Sequence, residues 1–168
     1  VYVEIRRGTP ILLQLYFFWI GLPKLVPFEL TDTQCIVAAL VVNASAFISE
    51  IIRAGIGAVD KGQWEAARSI GLSETHVMTR IILPQALRTA FPPLFNSLIS
   101  LLKDTSLAAN ITVTEMFMAT QRIVARTYES LPLYLEVAFI YLMFSTILTQ
   151  VQRWGEKKLN AKGFSQNS

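Results

Sequence analysis

The four longest stretches of this chain without a charged side chain are residues 8–23, 33–49, 89–102 and 137–152, which are 16, 17, 14 and 16 residues long. No other feature limits the fold so strongly. A helix needs roughly 20 mostly apolar residues, and at least about 17, to cross the hydrocarbon core of a bilayer. Each run can be extended by tolerating a charge or two near one end. Residues 131–152 make 22 with only Glu136 inside, and residues 89–111 make 23 with only Lys103 and Asp104. The chain is therefore expected to be an all-α membrane protein, a bundle of about four transmembrane helices. Composition points the same way, because charged residues are 16% of the chain against about 25% in soluble domains, and the mean hydropathy is +0.43.

Four spans with alternating sides make a prediction about charge. If the first residues are cytoplasmic, then so are the segment from Arg53 to Arg88 and the tail from Arg153. Those segments contain Arg6, Arg7, Arg53, Lys61, Arg68, Arg80, Arg88, Arg153, Lys157, Lys158 and Lys162, which are 11 of the 15 basic residues. Lys24, Arg122 and Arg126 fall outside, and Lys103 lies in the third span. This is the positive-inside bias of a plasma-membrane protein, and it gives a multi-pass inner-membrane topology. Residues 1–168 read as one domain, with a basic cytoplasmic tail at about 153–168 that is expected to fray. There is no initiator methionine and no secretory h-region in "VYVEIRRGTP".

Between the second and third spans lies a more polar segment, residues 58–84. Asp60 and Gln63 have capping-box spacing, so a helix should begin near Lys61. Trp64, Ala67 and Ile70/Gly71 recur at helical spacing and form an apolar face. Gly71 suits the left-handed residue that ends a helix. Ser73 is placed to cap a second helix bearing Val77, Met78, Ile81 and Ile82, and Pro84 should disturb or end it. Two short helices around a glycine turn also describe a DNA-reading helix-turn-helix, so a membrane-anchored regulator is the alternative. Against it, Glu74 would sit near phosphates, the basic residues are scattered, and the second helix runs straight into an apolar span.

The same segment carries a longer pattern. Glu65-Ala66-Ala67, three residues, Gly71, nine residues, then Ile81-x-Leu83-Pro84 resembles the EAA signature of the permease subunits of ATP-binding-cassette (ABC) importers. "RRGTPILLQL" at residues 6–15 and "LLKDTSLA" at residues 101–108 are similar to the branch that imports polar amino acids, the histidine, glutamine and cystine type. The resemblance covers nearly the whole chain. It departs at the front, where such permeases usually have another membrane helix before "RGTP". It implies that residues 58–84 form a cytoplasmic coupling loop gripped by a separate ATPase subunit, with Glu65, Ala66, Ala67, Gly71, Ile81, Leu83 and Pro84 as the coupling positions. It further implies a second permease copy or a sister permease, and an extracytoplasmic solute-binding protein. ATP and magnesium belong to the ATPase, and this chain has no G-x-x-x-x-G-K-[S/T] loop of its own.

Several polar residues fall inside the apolar spans. Asn96, Ser100, Lys103 and Asp104 lie within a stripe about 100° wide on one face of the third span, with Ser97 at its edge. A charge at mid-membrane costs roughly 2.5–3.5 kcal/mol on insertion scales, so this stripe should face protein or a wet path. It fits equally a route that meets a substrate's ammonium and carboxylate, or an interhelical polar network. On the second span Ala39, Asn43, Ala46, Glu50 and Gly57 form a small-residue stripe suited to close helix packing. Asn43 is a further candidate for the path, and Glu50 is spaced to pair with Arg53.

On the external side Thr112-x-x-Glu115 has capping-box spacing ahead of an amphipathic helix with Val113, Met116, Phe117 and Thr120. Arg122 and Arg126 on that helix are candidates for docking a binding protein. The single cysteine, Cys35, rules out an internal disulfide, and His76 has no ligand partners at metal-binding spacing. No nucleophile, base and orienting acid come together in a catalytic motif. The chain reads as a transporter component and not as an enzyme, with lipid as its solvent and no nucleic-acid partner.

Overall fold

A computed structural model describes residues 2–27 and 30–164; the side chains of Tyr2, Arg6, Arg7 and residues 161–164 lie outside the description, and with them part of the charge count made above. The described residues form helices and no strands. In chain order these are α1 (Tyr2–Gly8), α2 (Ile11–Leu25), α3 (Asp32–Gly57), α4 (Lys61–Ser69), α5 (Leu83–Asp104), α6 (Met116–Thr127) and α7 (Ser130–Phe164). A helix thus stands at each of the four apolar runs. Asp32–Gly57 and Ser130–Asn160 are long and apolar enough to cross a bilayer. At 1.5 Å per residue α5 spans about 33 Å, but it also carries Arg88, Lys103, Asp104 and two internal prolines.

Local chemistry explains where these helices start, bend and stop. Thr31 and Gln34 form a reciprocal capping box: the Thr31 amide donates to Gln34 Oε1 at 2.9 Å, and the Gln34 amide donates to Thr31 Oγ1 at 3.3 Å. Phe17–Gly21 of α2 is a wider π turn that comes just ahead of Pro23, and Val77–Ile82 is another just ahead of Pro84. A proline removes the N–H that residue i−4 would accept from, and a locally widened turn is one way around that loss. Pro84 therefore does not end its helix; the helical path runs on into α5. The third span was expected to continue to residue 111, but its α-helix ends at Asp104 and Thr105–Ile111 is a 3-10 helix. Thr105, Ser106 and Asn110 each donate a side-chain bond to the carbonyl three residues back, which competes with α-helical bonding there.

Within the basic tail α7 continues as far as Phe164, and residues 165–168, part of the stretch expected to fray, lie outside the described residues. Contacts one turn apart hold this extension. Gln152 Nε2 donates to Glu156 Oε1 at 2.9 Å, and the Lys158 ammonium lies 5.0 Å from the Trp154 ring centre. Leu131, Leu135, Phe139, Leu142, Ile147 and Val151 are all exposed along α7. An apolar surface that long is stable where lipid replaces water.

The chain divides into two compact units, residues 1–47 with 98–148, and residues 48–97 with 149–168. In the first, Leu15, Cys35, Ile36, Ala39, Ala108 and Ile111 form a closed core. Trp19 Nε1 donates to Asp32 Oδ1 at 2.9 Å. Gln14 Nε2 donates to the Thr9 carbonyl at 3.1 Å and to Thr9 Oγ1 at 3.0 Å, so the "RGTP" turn is tied to α2. Thr112 is not the cap of α6: it sits at φ 63°, closing the preceding 3-10 helix. Glu115 is the cap, accepting from the Phe117 and Met118 amides at 2.8 and 2.5 Å, and Tyr141 Oη donates to it at 3.3 Å. Glu115→Ala is expected to lose about 1 kcal/mol of stability in detergent, with Glu115→Gln between it and the parent in a thermal unfolding series.

In the second unit the backbone of α3 comes close to α5. A Cβ on Gly55 would lie 2.8 Å from the Ala86 carbonyl oxygen and 3.2 Å from Ala90 Cβ, whereas one on Gly57 would meet nothing within 4 Å. The small-residue stripe packs at Ala39 and Ala46, both fully buried, but its close approach falls at Gly55 and not at Gly57. Phe91 lies against Gly155, where a Cβ would come within 2.5 Å of its ring.

Candidate functional site: a capped helical turn at residues 58–84

The polar segment folds around its own small core. Val59, Ala67, Val77, Ile82 and Ala86 are buried together, with Trp64, Leu72, Met78 and Ile81 packed against them. Asp60 caps α4, its carboxylate accepting from the Gly62 amide at 2.6 Å. The reciprocal half of the expected box is absent; Gln63 Oε1 instead accepts from Gln85 Nε2 at 3.5 Å. At the other end Gly71 has φ 79°. Its amide donates to the Arg68 carbonyl at 2.9 Å, and the Leu72 amide donates to the Ala67 carbonyl at 3.3 Å. These two bonds define a Schellman motif, with Leu72 and Ala67 supplying its usual apolar contact.

Ser73 occupies the cap position of the next helical turn, but its hydroxyl pairs with His76 Nδ1 at 2.8 Å and caps no amide. Arg68 reaches across the turn to Glu74 through two bonds, Nε to Oε1 at 2.7 Å and Nη2 to Oε2 at 3.1 Å. The guanidinium also lies 5.6 Å from the Trp64 ring centre. Hydrogen bonding to Arg68 holds the Glu74 carboxyl below the usual carboxylate range. The folded value is the depressed one, so the bridge contributes above the unfolded-state pKa and is lost as pH falls through the folded one. A carbon-13 carboxyl titration of Arg68→Gln should show Glu74 titrating at a higher pH than in the parent.

The signature residues separate into two groups. Ala67 is 3% exposed and belongs to the core, with Ile81 and Leu83 half-buried. Glu65, Ala66, Gly71 and Pro84 are exposed. Ile70, assigned from spacing to the apolar face, is 75% exposed at the tip of the turn. It is the helix C-cap, and beyond the last full turn helical spacing no longer sets direction. Spacing therefore gave no sign of Ile70 as a surface residue. The Arg68–Glu74 link, which joins residues either side of a left-handed turn, was equally invisible.

The polar residues of the spans are placed as follows. Asn43 is half-buried on α3; Asn96 is exposed and Ser97 half-buried on α5. Further along α5, Ser100 and Lys103 are exposed and Asp104 is half-buried. Lys103 lines a groove of about 470 Å³ with Ser106, Ala138, Tyr141, Leu142 and Ser145. Glu50 and Arg53 form the expected ion pair one turn apart on α3.

Residues 1–161 match the family described as binding-protein-dependent transport system inner membrane component. The chain is 45% identical over 161 residues to the L-cystine transport system permease protein TcyB of Bacillus subtilis (strain 168), covering 95% of this chain and 68% of that protein. It is 37% identical over 160 residues to the arginine transport system permease protein ArtQ of the same organism, covering 95% and 73%. Among solved structures, an amino acid ABC transporter crystallised with histidines matches with a TM-score of 0.88 at 35% identity, over 94% of this chain and 73% of that one. The methionine ABC transporter MetNI in inward-facing conformations matches with a TM-score of 0.78 at 16% identity, over 94% and 72%, a likeness of fold.

Proposed function

Because the chain belongs to the family of binding-protein-dependent transport system inner membrane components, we propose that it forms the path for a polar amino acid or similar small solute and couples that path to a separate ATPase. The chain is an inner-membrane transporter component, not an enzyme. The observation that carries the coupling role is the turn at residues 70–71, exposed at its tip and packed on a buried cluster beneath. Its Schellman motif, its Asp60 cap and its own buried cluster hold Glu65, Ala66, Ile70 and Gly71 in one fixed arrangement. A preformed surface with an exposed isoleucine at its tip suits a groove on another protein, since little ordering cost remains on docking.

In this reading ATPase subunits bind at Glu65, Ala66, Ile70 and Gly71, while Ala67 and Ile81 pack beneath the turn and Leu83 and Pro84 mark the return to the membrane. The permease pairs with a second copy or a sister permease, and a solute-binding protein docks outside near Arg122 and Arg126, both exposed on α6. Lys103, exposed on the groove it shares with Tyr141 and Ser145, offers an ammonium to a carboxylate in the path. Asn43, Asn96, Ser97, Ser100 and Asp104 supply further polar groups. ATP and magnesium act on the ATPase.

The test is a mild-detergent pull-down of the tagged chain from its native membrane, followed by reconstitution and ATP-dependent uptake of labelled amino acids. Recovery of an ATP-hydrolysing subunit together with concentrative uptake is expected. A folded chain that brings down no ATPase would overturn the coupling reading. Substitution of Arg122 and Arg126 by glutamate should weaken binding-protein-stimulated uptake, and unchanged docking by that variant would remove the external site.

A further inference from the structure

The second unit contains a groove that, apart from Pro84 at its edge, the transport reading does not use. It has a volume of about 600 Å³ and runs between the start of α5 and the end of α7. Leu87, Phe91 and Leu94 form one wall, and Trp154 stands opposite, 64% exposed. Two cations border this apolar trough, Arg88 and Lys158. Arg88 is half-buried and has no hydrogen-bond or ion-pair partner among the described residues. Lys158 is exposed, its ammonium over the Trp154 ring.

Position along the chain identifies what such a groove takes. Arg88 immediately precedes the charge-free run 89–102, and Lys158 lies six residues past the run that ends at 152. Both cations, and Trp154 with them, therefore stand where the hydrocarbon gives way to headgroups, the level at which tryptophan and basic side chains concentrate. An occupant must offer negative charge at one end and a flexible apolar body at the other. A second copy paired through this same face by a two-fold axis would set the same two cations against each other. We propose that this groove is a binding site for an anionic phospholipid, its phosphodiester between Arg88 and Lys158 and its acyl chain along Leu87, Phe91 and Leu94 beside Trp154.

The full chain, reconstituted in phosphatidylcholine vesicles, is titrated with brominated phosphatidylglycerol or brominated phosphatidylcholine. Quenching at Trp154 is read as the difference between the parent and Trp154→Phe. Each basic side chain near a membrane surface is worth roughly fivefold in attraction for anionic lipid. Half-quenching should therefore need at least about fivefold less brominated phosphatidylglycerol than brominated phosphatidylcholine. Arg88→Gln with Lys158→Gln should abolish the difference, while Arg88→Lys with Lys158→Arg should retain most of it. Equal quenching by the two lipids in the parent overturns the proposal, without reference to any variant. So does a preference that survives in the double glutamine protein, or a Trp154 shielded from both lipids, which would mean that another chain fills the groove.

Discussion

Gly71→Asp is expected to leave the permease folded and inserted in the membrane while cutting ATP-dependent uptake at least about tenfold. A Cβ at this position meets nothing within 4 Å inside the chain, so the substitution causes no internal clash. The backbone there has φ 79°, which costs a non-glycine residue about 1 kcal/mol, and aspartate is among the residues that tolerate it best. The buried cluster beneath the turn should offset that strain. What changes is the surface offered to the ATPase: a charged side chain now projects from the tip, beside Ile70. Loss of a hot-spot contact near the centre of an interface costs about 2 kcal/mol or more, and about 1.4 kcal/mol is already tenfold in binding. Gly71→Ala, which has the strain without the charge or length, should lose far less. Uptake into proteoliposomes and ATPase recovery, measured on the same preparations, check both variants. Parent-like uptake by Gly71→Asp would mean that the turn does not dock.

The second large effect is expected at Gly55, and it concerns folding. Valine there would force a Cβ to within 2.8 Å of the Ala86 carbonyl oxygen and 3.2 Å of Ala90 Cβ. A backbone oxygen cannot step aside as a side chain can, so α3 and α5 would have to separate. Overpacking of this kind costs typically 1–3 kcal/mol, and here a β-branched residue adds bulk beyond the Cβ itself. Gly55→Val should unfold at a clearly lower temperature in detergent and accumulate poorly in membranes. Gly57→Ala, on the same helix but in open space, should be neutral or slightly stabilising because alanine favours helix over glycine. Equal stability of these two variants would show that the α3–α5 approach is not close.

Much of the architecture was written in one dimension. The charge-free runs located four helices because burying backbone in lipid leaves few other structures available. Gly71 announced its turn because only glycine enters the left-handed region freely. Asp60 announced a helix start, and Ala39 and Ala46 a packing face, because helical periodicity fixes which residues share a side. Yet periodicity names a face without naming the neighbour. The stripe on α3 suggested Gly57, and it took the arrival of the Ala86 carbonyl to identify Gly55. Spacing assigned the cap of α6 to Thr112, whereas the left-handed backbone at that residue passed the role to Glu115.

The candidate site divides in the same way. The EAA spacing marked the segment and placed its helices, because a capped helix, a glycine and a proline are local signals. Whether a given residue of that signature points inward or outward is not local. Ala67 is buried because Val77 and Ile82 return over it from beyond the turn; Ile70 is exposed because it lies past the last full turn and nothing returns over it. The basic groove is legible only in three dimensions, since Arg88 and Lys158 stand 70 residues apart in the sequence. By itself the sequence determined the elements, their membrane setting and the position of the turn, all consequences of backbone preference and of transfer from water to lipid. The tertiary structure decided which side chains meet, for contact between distant segments depends on where helices cross, and no spacing within one helix encodes that.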